Sequence, residues 1–230
     1  MFKNILSVFI ISVLCSSVSW GQDILKSLNE VQKIARKHTG LEIQFKQEIY
    51  TSTRGKVTKS NGTLVFSPPK LFRWEVAAPH KEIYTNNGKE FWKYSEVMRH
   101  AQKLPSNSLE LDFLNIIFNL GHLSDHYGIE SWKPSSAADV KAKIADAVVS
   151  DNPPPVAAGH LYLKLIPKKA ENQQNIFAVI NEKQGIVEEM RIVFKNGNRT
   201  RISFENMKSA KIDPVVFSFV PPQGTAVDKM

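Results

Sequence analysis

The chain has 230 residues, 42% hydrophobic and 23% charged. That balance excludes a disordered chain and, beyond the first residues, a membrane-embedded one, and the length supports one sizeable core. A net charge of +8, one unit of it from Lys3, falls short of a nucleic-acid-binding signature. The single cysteine, Cys15, leaves no disulfide framework, and no internal period of ~20–50 residues marks a solenoid or propeller.

In chain order, Lys3 and the apolar run 5–14 precede the small residues of Ser19-Trp20-Gly21, which reads as a secretory signal peptide over residues 1–21, cleaved before Gln22. The run is too short for the ~20 apolar residues of a spanning helix. Cys15 lies inside it, and Leu14 and Ser12 do not match a lipid-attachment site, so the mature chain carries no thiol. Residues 22–230 are then a single domain. Ile24, Leu25, Leu28, Val31, Ile34 and Ala35 form one apolar stripe, which predicts an amphipathic helix over 23–38 ending near Gly40.

From Leu41 the period changes to two. Asn61-Gly62, Asn87-Gly88 and Asn196-Gly197 each separate strand-like runs and predict type I′ hairpin turns. The strands expected are 41–49, 63–67, 70–76, 82–85, 90–95, 161–166, 176–181, 186–194, 199–206 and 215–220. Between the two sets, residues 109–120 predict a helix with Ser106 or Ser108 as cap and Gly121 as C′ glycine. Its apolar residues cover more than half its circumference. Residues 132–159, with a short Ala-rich helix expected over 135–149 and the Pro-rich linker 151–155, read as an insertion in one sheet. The fold class is α+β, mainly antiparallel β: one curved sheet of about ten strands with helices on one face.

Catalytic and metal signals are weak. His122 and His126 stand four apart around Asp125, but Gly121 interrupts a continuous helix and no third ligand has zinc spacing. Glu188 and Glu189 are adjacent on a strand, so they point to opposite faces. No phosphate-cradling loop and no nucleophile-elbow motif occurs. The expectation is therefore no enzyme, no cofactor, no metal and no nucleic acid.

The run Gly62-Thr-Leu-Val-Phe-Ser-Pro-Pro-Lys-Leu-Phe-Arg-Trp74, then Pro79, Asn87-Gly-Lys89 and Trp92-Lys-Tyr94, resembles the outer-membrane lipoprotein carrier protein (LolA) family. Phe45-x-Gln47 and the closing Phe217-Ser-Phe-Val-Pro-Pro-Gln-Gly224 are similar to the same family, so the resemblance spans about residues 24–227 apart from the insertion. It implies an unclosed (half) β-barrel with a helical lid, acting as a monomer in the periplasm. It further implies that triacylated lipoproteins are received from an inner-membrane ABC transporter and delivered to the outer membrane, to a lipoprotein receptor if one is present. On that reading Leu64, Phe66, Phe72, Trp74, Trp92 and Tyr94 line a lipid cavity beneath Phe113, Ile117 and Leu120. Pro68 stands where the family often has an arginine that helps hold the lid. Arg73 is the remaining candidate for a lid or partner contact, although next to Trp74 it should face away from the aromatic side. Alternatives are a carrier of another lipid or glycolipid on the same fold, a secreted hydrolase, or a basic adaptor on the envelope surface.

Overall fold

A computed structural model of the chain describes residues 20–105, 116–117, 119–133, 153–169 and 174–229. Helix α1 (Trp20–Ala35) is followed by β1 (Leu41–Thr51), β2 (Lys56–Ser67), β3 (Leu71–Ala78), β4 (Glu82–Asn86), β5 (Glu90–Ser95) and β6 (His100–Pro105). A 3₁₀ turn (Leu120–His122) and a one-turn helix α2 (Leu123–His126) lead into β7 (Tyr127–Ser131). Then come β8 (His160–Pro167), β9 (Gln174–Asn181), β10 (Ile186–Phe194), β11 (Arg199–Ser209), a second 3₁₀ turn (Pro214–Phe217) and β12 (Ala226–Lys229).

These twelve strands form one unclosed sheet in the order β12-β6-β5-β4-β3-β2-β1-β11-β10-β9-β8-β7. Every pairing is antiparallel except β12 on β6. Nine of the ten expected strands are present, with β6, β7 and β12 added. The exception is 215–220. Pro214 begins a 3₁₀ turn there, and the Asp213 side chain caps it by accepting from the Val215 N–H at 2.9 Å.

The Asn-Gly dipeptides need correction. Asn61-Gly62 lies inside β2, at a register shift against β3; the turn between β1 and β2 is built around Gly55 instead. A Cβ on Gly62 would stand 2.0 Å from the Glu75 carbonyl oxygen and 2.6 Å from the Phe45 ring, so this glycine serves close approach. At Asn87-Gly88 and Asn196-Gly197 only the glycine has positive φ, whereas a type I′ turn needs it at both residues. The asparagine side chains hold these loops by accepting backbone N–H groups two or three residues on.

The α1 stripe is buried through Leu28 and Val31, while Leu25 remains exposed. The helix ends at Ala35 rather than 38: the Arg36 N–H makes the last i→i−4 bond, to Gln32, and Lys37 and His38 donate in the tighter i→i−3 pattern to Ile34 and Ala35. Gly185, at φ +71° in the β9–β10 turn, runs beneath this end; a Cβ there would meet the Ala35 nitrogen at 2.6 Å. The expected helix over 135–149 and its Pro-rich flank through residue 152 lie outside the described residues.

Candidate functional site

The sheet has two unlike faces. The inner face carries Ile43 and Phe45 from β1, Leu64 and Phe66 from β2, and Phe72, Trp74 and Val76 from β3, continuous with Ile176, Ala178, Met190, Ile202 and Phe204 across the other half. Strict alternation along each strand puts these side chains on one side. Cross-strand pairing aligns them, with Leu41 opposite Phe66, Ile43 opposite Leu64, and Phe66 opposite Phe72. Phe45 stacks on Trp74 with ring centroids 3.9 Å apart, passing over Gly62, and Phe204 meets Trp74 edge-on at 6.3 Å. Phe91 joins Phe72 at 6.0 Å.

Helix α1 and the segment around 116–126 cover this face. Ile116, Ile117, Leu120 and Leu123 are all buried in the same cluster as Leu28, Val31 and the inner-face aromatics. Phe113, also expected in the cover, lies outside the described residues. The apolar surplus expected over 109–120 has a partner wherever that segment is described: the protein's own aromatic face and α1 fill it. Gly121 is not a C′ glycine. It sits inside the 3₁₀ turn without positive φ, and its N–H donates at 2.8 Å to Oε1 of Gln32, a polar residue buried in α1. A Cβ on Gly121 would lie 3.1 Å from Gln32 Cγ, so the turn docks close against α1.

A cleft opens where the end of α1 meets the sheet. It is lined by Ala35, His38, Leu41, Ile43, Phe66, Ile117 and 185–187, with a volume of about 20 Å³. That is room for about one water, against the ~300–1,000 Å³ of a typical ligand pocket. The His38 ring stands at its edge, 3.1 Å from the Gln184 carbonyl oxygen. The described apolar residues of the cover, Ile116, Ile117, Leu120 and Leu123, are packed against α1 and the sheet.

Six of the nine residues expected to line a cavity are therefore together: Leu64, Phe66, Phe72, Trp74, Ile117 and Leu120. Trp92 and Tyr94 are not with them. Phe91 is the inner-face residue of β5, opposite Asn86, which is opposite Phe72; Trp92 pairs with Thr85 and so shares the outer face with Arg73. There Trp92 and Tyr94 pack with Ile83, Ala101 and Phe219. The segment after Pro214 straps this outer surface, and the Thr85 hydroxyl is within 3.0 Å of both the Phe72 and the Phe217 carbonyl oxygens. Arg73 points away from the cover and is held by Glu75 at 2.8 Å, which also binds Lys81 at 2.8 Å. A lid contact by Arg73 is thus corrected to an outer-face ion triad. Burial alone would raise the Glu75 pKa, but hydrogen bonds from Lys81 and Arg73 outweigh it and hold the carboxyl below its ordinary value.

The other outer half carries a charge ladder. Glu189 binds Arg191 at 2.6 Å and Arg201 at 2.6 Å; Arg201 reaches Glu48 at 3.3 Å, and the Arg191 guanidinium lies 4.9 Å from the Trp132 ring centre. Burial alone would lower the Arg201 pKa, but Glu189 and Glu48 outweigh it and hold the guanidinium charged. Trp132, the first residue of the expected insertion, is fixed here by this contact, by Phe177 at 5.0 Å and by its N–H to the Tyr162 carbonyl. Among the described residues no three His, Cys, Asp or Glu side chains converge, and His122 is paired with Asp125 at 3.1 Å. Among the inner-face residues missed in the sequence are the aromatics Phe45, Phe91 and Phe204. Each sits in a strand-like run, but only pairing to β2, β4 and β1, in that order, reveals the shared face.

The family model for the outer membrane lipoprotein carrier protein LolA matches residues 36–145 and 139–220. An outer-membrane lipoprotein carrier protein of Proteus mirabilis is 23% identical over 231 residues, covering 99% of this chain and 98% of its own. One of Vibrio campbellii is 22% identical over 200 residues, covering 87% and 84%. An uncharacterised conserved protein of Thermus thermophilus shares the fold, with a TM-score of 0.53, 13% identity, and coverage of 91% of this chain and 100% of that one. The family match spans most of the described sheet, and the chain belongs to the outer membrane lipoprotein carrier protein LolA family.

Proposed function

We propose that this chain is a periplasmic carrier, without catalysis or cofactor, that shields the acyl chains of lipoproteins between α1, the 116–126 cover and the inner face of the sheet. The observation that supports it best is the continuous, largely aromatic face beneath an apolar cover: Phe45, Leu64, Phe66, Phe72 and Trp74 on one side, and Ile116, Ile117, Leu120 and Leu123 on the other. The cover is tied to α1 by the Gln32–Gly121 hydrogen bond.

The energetics favour exchange rather than permanent capture. Opening exposes the four cover residues, at about 1.5–3 kcal/mol each, or roughly 6–12 kcal/mol together. A chain of about 15 methylenes recovers on the order of 12 kcal/mol when buried. The two are comparable, so an acyl chain can replace the cover and be surrendered again to a membrane. On this reading residues 1–21 direct export and are removed, an inner-membrane ABC transporter loads the carrier, and a receptor at the outer membrane accepts the cargo.

Mass spectrometry of ligands that co-purify with the protein from its own envelope tests the proposal. Acylated lipoprotein is expected with the wild type, and none with Phe66→Glu or Ile117→Glu, each placing a charge at the cleft. A folded variant of either kind that retains the wild-type lipid load overturns it.

A further inference from the structure

One rim of the sheet gathers the connections 52–55, 79–81, 96–99 and 195–198, because β1, β3, β5 and β10 end there and β2, β4, β6 and β11 begin there. Two neighbouring tips on it leave apolar side chains in solvent. The β3–β4 corner exposes Ala77, Ala78 and Pro79, and the β5–β6 tip exposes Val97 and Met98, at 63% and 68%. These tips are fixed. The Glu96 N–H donates to the Lys81 carbonyl at 3.0 Å, the Arg99 N–H to the Glu96 carbonyl at 3.1 Å, and the Ala226 N–H to the Arg99 carbonyl at 2.9 Å.

Turns ordinarily place Gly, Asn, Asp or Ser at such positions. Here Arg99 takes φ +46°, a conformation that favours glycine, and Val97 and Met98 occupy the tip. Farther along the rim, the Ser52 hydroxyl donates to the Asn196 carbonyl at 2.8 Å, and the Ser52 N–H to Asn198 Oδ1 at 3.0 Å, locking two more tips together. Arg54, Lys56, Lys195 and Arg99 are exposed along these connections, and Glu96 is the exposed acid among them.

We infer that this rim docks on an anionic phospholipid leaflet, with Val97 and Met98 entering the boundary between headgroups and acyl chains and Arg54, Lys56, Arg99 and Lys195 facing lipid phosphates. The apolar anchor is two large side chains on a protruding tip, far below the ~800 Å² per partner of a stable protein interface. A small apolar anchor combined with a basic edge is the two-signal arrangement that holds a protein reversibly on a charged bilayer. The inference goes beyond the carrier reading and uses none of the inner-face residues.

The test is flotation of the exported, processed protein with vesicles of phosphatidylcholine alone and of phosphatidylcholine mixed with phosphatidylglycerol. Binding is expected to the mixed vesicles only, and to fall as salt shortens the screening length. Val97→Asp with Met98→Asp should weaken it at least tenfold, and Arg54→Glu with Lys195→Glu by at least roughly fivefold per cation removed. Both variants should load acyl ligand as the wild type does. Equal binding to neutral vesicles, unchanged binding by the variants, or binding only to envelope vesicles that carry membrane proteins overturns the inference. Loss of ligand loading in the wild type would instead strike the carrier reading and leave vesicle binding untouched. A Met98→Cys variant labelled with a polarity-sensitive dye reads the tip directly. A blue shift on mixed vesicles is expected, and an unchanged spectrum there contradicts insertion.

Discussion

Gly62 holds the aromatic centre of the inner face open to Phe45. The Phe45 ring lies over it to reach Trp74, and the Glu75 carbonyl of the neighbouring strand closes the remaining space. A methyl group here meets main chain on one side and a buried ring on the other, so the cost falls on backbone that cannot swing away. Gly62→Ala should destabilise the protein by about 3 kcal/mol or more, read as a lower urea midpoint with an unchanged slope. A midpoint equal to the wild type would show that the strands part at little cost. Asn61-Gly62 shows what a dipeptide reveals. The need for glycine was legible, but its reason was not, since a tight turn and a close strand crossing make the same demand on sequence.

Among the elements, β3 divides its residues between two environments, with Phe72, Trp74 and Val76 inward and Arg73 and Glu75 outward in the triad with Lys81. The Glu75 pKa is lowered below its ordinary 4.5, so its contribution to stability is fully present above 4.5 and is lost as pH falls through the folded value. The triad is partly solvated, and screening keeps that contribution to about 0.5–1 kcal/mol. Glu75→Gln should therefore be less stable than wild type at neutral pH, with the gap closing below pH 4.5 in parallel urea titrations; a gap that widens toward acid contradicts this. The strands themselves were largely legible because Val, Ile, Phe and Trp alternate with polar residues. Phase between strands was not. Trp92 and Tyr94 alternate correctly, yet pairing through β4 puts Phe91 on the inner face and sends them to the outer one. Strands β6 and β12 leave little trace in the sequence because His100–Pro105 and Ala226–Lys229 contain few β-branched residues and owe their conformation to pairing with a neighbour.

At the scale of the whole molecule, the described parts form a closed state. The aromatic face, α1 and the cover share one core, and the cleft at their junction holds no more than about one water. On the proposed carrier reading the cover leaves α1 to admit lipid, and the hydrogen bond of Gly121 to Gln32 is one contact that breaks. A Cβ at position 121 would stand 3.5 Å from the Gln32 Cβ, at the edge of the ~3.5–4.5 Å separation that a disulfide spans. The chain's only cysteine, Cys15, lies in the segment expected to be removed, so Gln32→Cys with Gly121→Cys gives a single reversible lock. Uptake of a fluorescent acyl probe by the oxidised and reduced forms of this variant is the most direct measurement. Uptake should be abolished when the lock is oxidised and return on reduction; equal uptake by both forms would contradict a site that opens between α1 and its cover.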